Sequence, residues 1–231
     1  MDFEAFYDTY WQAQGDQFDH RRQSRLTRHV HAGDAVLQVD CGPGVLAARL
    51  ADLGAQVTAT DLSAEAVRRA RSRGINAIQL NPDRAPLPFA AAAFDVVVSD
   101  SQIEHRVDFA HYLDECGRVL KPGGRLVLCV PNAAHWWLRW NLLRGRFPYV
   151  PHTPTDWLHL RFFALPELRS LLAERDLCIE HVDGSASLWV RGLYPAWLRG
   201  GLSARLYEAL TRWRPTLFGR DLILLARKGT A

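Results

Sequence analysis

The stretch Val36-Leu37-Gln38-Val39-Asp40-Cys41-Gly42-Pro43-Gly44 decides the fold. It joins a short apolar run over 35–39 to a helix-like segment over 45–53 through a turn that holds two glycines. Such a run between turn signals reads as a buried strand. Glycine allows left-handed backbone and lets a ligand approach the main chain. The helix behind the turn aims its free N–H groups and the positive end of its dipole at the same spot, which suits a carboxylate or phosphate. A tight strand–helix turn without a ligand has the same local pattern, so this motif alone leaves both readings open.

Outward from this turn, further strands are expected over 56–60, 76–80, 94–99, 125–130, 178–182 and 221–227. Helices are expected over 64–72, 109–120, 166–175 and 202–213, and Pro122-Gly123-Gly124 reads as a turn. Residues 1–30 look helical and amphipathic, with Phe3, Phe6, Tyr7, Tyr10 and Trp11 at helical spacing. Strands alternating with helices of about ten residues describe an α/β fold, a doubly wound parallel sheet with helices on both faces. In such sheets ligands bind beyond the carboxyl ends of the strands. That singles out residues 40–44, 61–62, 81–83, 99–105 and 131–135. Asp61 ends the second strand, where an acidic side chain accepts hydrogen bonds from vicinal ribose hydroxyls. The alternative is a cap on the following helix, a task Ser63 can share.

The chain has 231 residues, enough for one domain with insertions. Hydrophobic residues make up 48% and charged residues 23%, which excludes a disordered chain. No apolar run approaches the roughly 20 residues of a membrane span. Met1-Asp2-Phe3-Glu4 has neither a basic start nor an apolar stretch behind it, so a cytoplasmic protein without a signal peptide is expected. Cysteines stand at 41, 116, 129 and 178, with no CxxC pair, so buried free thiols are expected and no metal site is indicated. The net charge is +3, too small to argue for nucleic acid. Residues 131–231 carry 14 basic against 8 acidic groups and seven of the eight tryptophans, so the chain changes character near Pro131.

Several motifs, in order, resemble the class I S-adenosylmethionine-dependent methyltransferases. The run from Val36 to Gly44 is similar to their first motif, VLDxGCGxG, and Asp61-Leu62-Ser63 to their second. Leu87-Pro88-Phe89 with Phe94-Asp95-Val96-Val97, Glu104-His105, and Arg118-Val119-Leu120-Lys121-Pro122-Gly123-Gly124 follow in the family's order. The resemblance implies a Rossmann-like seven-stranded sheet with an antiparallel last strand and S-adenosyl-L-methionine as cofactor. It implies cofactor contacts from Gln38, Asp40, Cys41, Gly42, Gly44, Asp61, Leu62, Asn81, Asp83 and Ser99. The chain departs from the pattern at Gln38, where the family has an acid, at Asp40, where it has glycine, and at Asn81-Pro82, where Asp-Ala is common. The missing acid normally holds the methionine end of the cofactor. Pro131-Asn132-Ala133-Ala134-His135-Trp136, Leu142-Leu143-Arg144-Gly145-Arg146-Phe147 and His159-Leu160-Arg161-Phe162-Phe163 resemble the MetW-like branch. That branch offers two readings: an enzyme acting on a small molecule or a glycan or lipid intermediate, or an accessory subunit of a biosynthetic enzyme such as a homoserine O-acyltransferase.

One domain is expected, with a helical cap over 1–30, a cofactor core over 31–131, and insertions after strands five and six, over 132–165 and 184–219, on the acceptor or partner side. Methyl transfer needs an aligned acceptor and no water, and an oxygen acceptor also needs a base. His105, His135 and His159 are the candidates, each with the alternative of a hydrogen-bonded residue that positions a loop. Trp136, Trp137, Trp140 and Trp157 are candidates for an acceptor wall, and Arg139, Arg144, Arg146 and Arg161 for gripping an anionic acceptor. The basic, aromatic segment 193–218 suits weak membrane-surface association, or packing on its own domain or a partner subunit. Nucleic-acid modification is disfavoured: Ser99-Asp100-Ser101-Gln102 stands where an NPPY-type tetrad would be.

Overall fold

The computed structural model describes residues 2–15, 18–190 and 193–230. The expected helical stretch 1–30 and the insertion 184–219 each include positions outside these. Seven strands form one sheet: β1 (Ala35–Val39), β2 (Gln56–Asp61), β3 (Asn76–Gln79), β4 (Phe94–Asp100), β5 (Leu120–Pro131), β6 (Leu177–Ser185) and β7 (Asp221–Lys228). Their order is β3-β2-β1-β4-β5-β7-β6. The first five run parallel, and β7 runs antiparallel to both β5 and β6. This is the expected Rossmann-like sheet with its antiparallel last strand.

The central strands are apolar throughout because both their faces are covered. Successive side chains go to opposite sides. Leu37, Val39, Val97, Leu126, Leu128, Leu222 and Leu224 pack into one core, and Val36, Val96, Val98, Val127, Cys129 and Ile223 into another. α5 (Phe109–Val119) and α7 (Leu165–Ala173) cover the first face through Leu113, Cys116, Leu168 and Leu172. α2 (His20–Leu26) and α3 (Val45–Asp52) cover the second through Leu26, Leu46 and Leu50. α4 (Ala64–Ser72) packs Val67 and Ala70 beside α3 and β2. The chain winds from β1 to β3 on one side and resumes at β4 on the other, so the carboxyl ends of β1 and β4 flank the switch point, with Val39 opposite Ser99.

Some local expectations change. The helical stretch at the start divides into α1 (Phe3–Ala13) and α2, with Gly15 between them. The expected turn at Pro122-Gly123-Gly124 lies inside β5: pairing with β4 jumps from Leu120 to Arg125, and Gly123 has φ +72°. α6 (Trp136–Leu143) and the one-turn α9 (Pro215–Phe218) were not expected. Cys178 is exposed, unlike the other three thiols, because it lies on edge strand β6. In the second insertion, α8 (Gly201–Trp213) turns Ala204 and Tyr207 inward, against Leu188, Leu193, Tyr194 and Leu198. Trp197, Leu202, Leu206 and Trp213 stay exposed. Among the described residues no helix is long and apolar enough to cross a membrane.

Gly44 shows why the opening turn tolerates no side chain. Its φ is +78°, and a Cβ there would lie 2.7 Å from the Cβ and 2.8 Å from the Cα of Ala70. The Gly44→Ala variant is therefore expected to lose about 2 kcal/mol or more of stability, read as a lower urea midpoint, from backbone strain and a clash between α4 and the turn. An unchanged midpoint would contradict this packing.

Candidate active site

The turn after β1 sits under α1. Asp40, Gly42 and Gly44 all have positive φ. The indole of Trp11 lies against Gly42, 2.9 Å from where a Cβ would be. α1 is tied down at several points. Asp8 accepts hydrogen bonds from Ser63 Oγ (2.5 Å) and the Glu65 N–H (3.1 Å). Arg69 donates to the carbonyl of Trp11 at 2.7 Å, and Asn81 Nδ2 to Glu4 at 3.2 Å. Tyr7 is half-buried, and burial pushes its hydroxyl pKa up to about 12.

Asp61 accepts the Gly42 N–H at 2.7 Å and the Ser63 N–H at 2.9 Å. The cap of α4 is Ser63, whose Oγ accepts the Ala66 N–H, so the capping alternative for Asp61 falls away. Burial first, then the charge of Asp40, raise the Asp61 carboxyl to about 7. Leu62 and Cys41 are buried beside it. Ser99 is fully buried and accepts the Tyr112 hydroxyl at 2.8 Å. Asn81 Oδ1 accepts the Asp83 N–H at 3.1 Å.

One of the two departures in the first motif, Asp40, has a partner that the sequence reading missed. Arg106 is buried, ion-paired with Asp40, and 3.3 Å from Asp83. Its guanidinium also lies over the Tyr112 ring, 5.3 Å from the centroid. Burial raises the Asp40 carboxyl and Arg106 opposes the rise. The signal was available: an acid in a glycine position, and an arginine directly after Glu104-His105. Among the described residues, two buried polar atoms here have no hydrogen-bond partner, Gln38 Oε1 and Arg106 Nε.

Of the three candidate histidines, the structure brings two together. The carbonyl of Glu104 accepts the N–H groups of Leu160 (2.8 Å) and Arg161 (3.1 Å), which fastens the loop after α6 to the end of β4. His105 and His159 thereby meet with ring centroids 5.0 Å apart. Burial, then His159, lowers the pKa of His105 to about 4, and burial lowers that of His159. His135 is apart from them and fully buried. Its Nδ1 accepts the Trp137 N–H and starts α6, while Nε2 lies 3.2 Å from the hydroxyls of Tyr194 and Tyr207. Burial takes its pKa down to about 3. This is the loop-positioning arrangement.

The tryptophans form no single wall. Trp136 and Trp137 pack on the second insertion, Trp140 lies under Arg144, and Trp157 is 74% exposed. The arginines diverge too: Arg139 donates to the Ala134 carbonyl and Arg161 to that of Val107. A cleft of about 650 Å³ lies elsewhere, lined by Phe18, Asp19, Ser187, Trp189, Arg199 and Glu208. Ser187 donates to Asp19 and to Asp221, and Asp221 lies 4.0 Å from Arg22, which reaches Asp100 at the end of β4 (3.3 Å).

Residues 37–128 match a family model described as a methyltransferase domain. The chain is 32% identical over 217 residues to the ubiquinone biosynthesis O-methyltransferase of Xanthomonas oryzae pv. oryzae, covering 88% of this chain and 87% of that one. Among solved structures, it superposes on a chain of the Haloferax volcanii complex between the Trm112 methyltransferase activator and a methyltransferase, with TM-score 0.70, 22% identity, and 99% and 98% of the two chains covered. It also superposes on the Burkholderia thailandensis 1,6-didemethyltoxoflavin-N1-methyltransferase with bound S-adenosylhomocysteine, with TM-score 0.60, 19% identity, and 98% and 84% covered. The chain belongs to the class I S-adenosylmethionine-dependent methyltransferases.

The cofactor is S-adenosyl-L-methionine, and the residues present fit it. A buried carboxylate ends β2, and an orphaned acceptor at Gln38 is available for an ammonium group, while the Trp11 indole of α1 covers Gly42 in the turn between them. In this methyltransferase, ribose hydroxyls donate best to an ionised carboxylate. Asp61 has a folded-state pKa of about 7 and is protonated below it. The dissociation constant for S-adenosylhomocysteine, measured by calorimetry, is therefore expected to rise as pH falls through 7, by up to about tenfold per unit. Asp61→Asn should flatten that dependence at weaker affinity. A wild-type profile flat from pH 5.5 to 8.5 would remove Asp61 from ribose binding.

Proposed function

We propose that this methyltransferase moves a methyl group from S-adenosyl-L-methionine to an oxygen atom of a small-molecule acceptor. The observation that carries the reading is the meeting of Glu104, His105 and His159 at the carboxyl end of β4, beside the switch point. Neutral or anionic groups gathered there can relieve a hydroxyl of its proton; an amine arriving neutral needs no such cluster. The ubiquinone-pathway relatives support the same choice, since they are named O-methyltransferases.

In this reading each part of the chain has a defined task. Asp61 holds the ribose and Asn81 with Asp83 the adenine side. Gln38 Oε1 faces the ammonium of the methionine end, where the family's acid is missing. Asp40 restores the negative charge, and Arg106 offers its free Nε to the carboxylate. The cofactor supplies an activated methyl group when bound. α1 acts as the cap that excludes water.

The Arg106 part is tested by ligand truncation. Arg106→Gln is expected to weaken S-adenosylhomocysteine at least about tenfold, the loss of one charge-assisted bond. The same variant should leave methylthioadenosine, which lacks the amino-acid end, within twofold. Equal losses for both ligands would show that Arg106 only props the fold.

The reaction is tested with labelled S-adenosyl-L-methionine and a panel of phenols, alcohols and amines. Transfer to a hydroxyl, falling about 100-fold or more in His159→Ala while S-adenosylhomocysteine affinity stays within twofold, is the expected result. Transfer to amines alone overturns the oxygen assignment. Tight ligand binding with no transfer to any acceptor favours the non-catalytic accessory subunit.

A further inference from the structure

We infer that Glu104, His105 and His159 form a binding site for one divalent first-row transition cation. Among the described residues, their ligand atoms all lie within 4.8 Å of one another. Ligands at about 2.0–2.1 Å from a tetrahedral zinc ion stand roughly 3.3 Å apart, so a small inward rotation of the side chains closes the site.

The two imidazoles are oriented as ligands are. His105 Nδ1 lies 3.0 Å from the carbonyl of Leu158, and His159 Nδ1 lies 3.2 Å from that of Pro154. A carbonyl only accepts, so each Nδ1 carries the hydrogen. Each Nε2 is left with its lone pair, and a backbone carbonyl behind the ring is the usual second partner of a metal-bound histidine. His105 Nε2 lies 3.9 Å from Glu104 Oε1.

A second observation is independent of the histidines. Glu104 is 1% exposed, and among the described residues neither carboxylate oxygen has a hydrogen-bond partner. An unsolvated, unpaired carboxylate is costly, and coordination of a cation is one of the few ways to remove that cost. The facing charges balance without Glu104: Asp100, Asp221 and Asp156 act on the cluster from β4, β7 and the loop, and Arg22, Arg106 and Arg220 oppose them from α2, the turn after β4 and the residue before β7. The frame is preset, because the Glu104 carbonyl binds the Leu160 and Arg161 N–H groups.

One carboxylate and two imidazoles make three protein ligands, the set of a site that keeps a position open. Sequence spacing hides it, since His159 follows His105 by 54 residues. Resting on the proposed oxygen transfer, the open position takes the acceptor hydroxyl, and with the cation bound these three side chains act through the metal and not as free bases. The cation lowers the hydroxyl's pKa, the O–H proton passes to solvent, the oxygen takes the methyl group, and the sulfonium leaves as a neutral thioether.

The test uses the full chain, stripped with chelator and dialysed, and Zn²⁺ alone as the probe. Competition against a chromophoric chelator is expected to show one tight site per chain. Glu104→Gln and His159→Ala should each weaken it at least 100-fold, while His29→Ala leaves it unchanged. S-adenosylhomocysteine binding, measured on the same samples, separates this inference from the cofactor reading and confirms that the variants fold. No tight site in the wild type, or one that survives both ligand variants, overturns the proposal. Failure of S-adenosylhomocysteine to bind while Zn²⁺ binds as expected leaves the cation site standing and removes the cofactor reading instead.

Discussion

Burial of the central strands on both faces is the constraint from which the site follows. β1, β4 and β5 carry apolar side chains on both sides, so their polar side chains stand toward the strand ends, with Asp95, Lys121 and Arg125 toward the amino edge. Gln38, Ser99 and Asp100 stand at the carboxyl edge, where Asp40, Asp61 at the end of β2 and Asn132 join them. The chain reverses its winding between β1 and β4, and in open α/β sheets that point of the edge is where ligands bind. Helix ends and carboxylates then face a common space with little water, where charges are strongly felt.

Low dielectric makes charge balance the second requirement. Asp40 and Asp61 are both buried and both raised by burial, and two bare carboxylates side by side would oppose each other. Arg106 resolves this by pairing with Asp40 and reaching Asp83. Asp61 is satisfied differently, by two backbone N–H groups. An acid in the glycine position is thus compatible with the fold because an arginine arrives from the end of β4. The two positions are coupled, and a change at one is a change in the charge of the other.

The segments after β5 and β6 serve the site from outside the sheet. α6 and the second insertion share one apolar cluster, with His135 and Tyr207 as its polar pins. This clamps the loop after α6, whose residues 158–161 then lie along the Glu104 turn. Histidines of similar appearance in sequence take different tasks as a result. His135 is enclosed by hydroxyl groups and holds a loop, while His105 and His159 face each other and an unpartnered carboxylate.

The sequence by itself determined the strand–helix alternation, the parallel core, and the glycine turn with Asp61 behind it. These rest on period-two and period-3.6 patterns and on backbone conformations only glycine readily takes, all of which are local; the antiparallel last strand was implied only by the resemblance of the ordered motifs to a known family. Local pattern also misled where context intervened: the Pro122-Gly123-Gly124 turn was absorbed into β5, and the tryptophans after residue 130 scattered over several surfaces. Only the tertiary structure decided that Arg106 answers Asp40, that His159 joins His105 while His135 does not, and that Glu104 is left without a partner. Those facts depend on which distant segments are brought into contact inside a dehydrated edge, and neither residue type nor spacing along the chain encodes that distance.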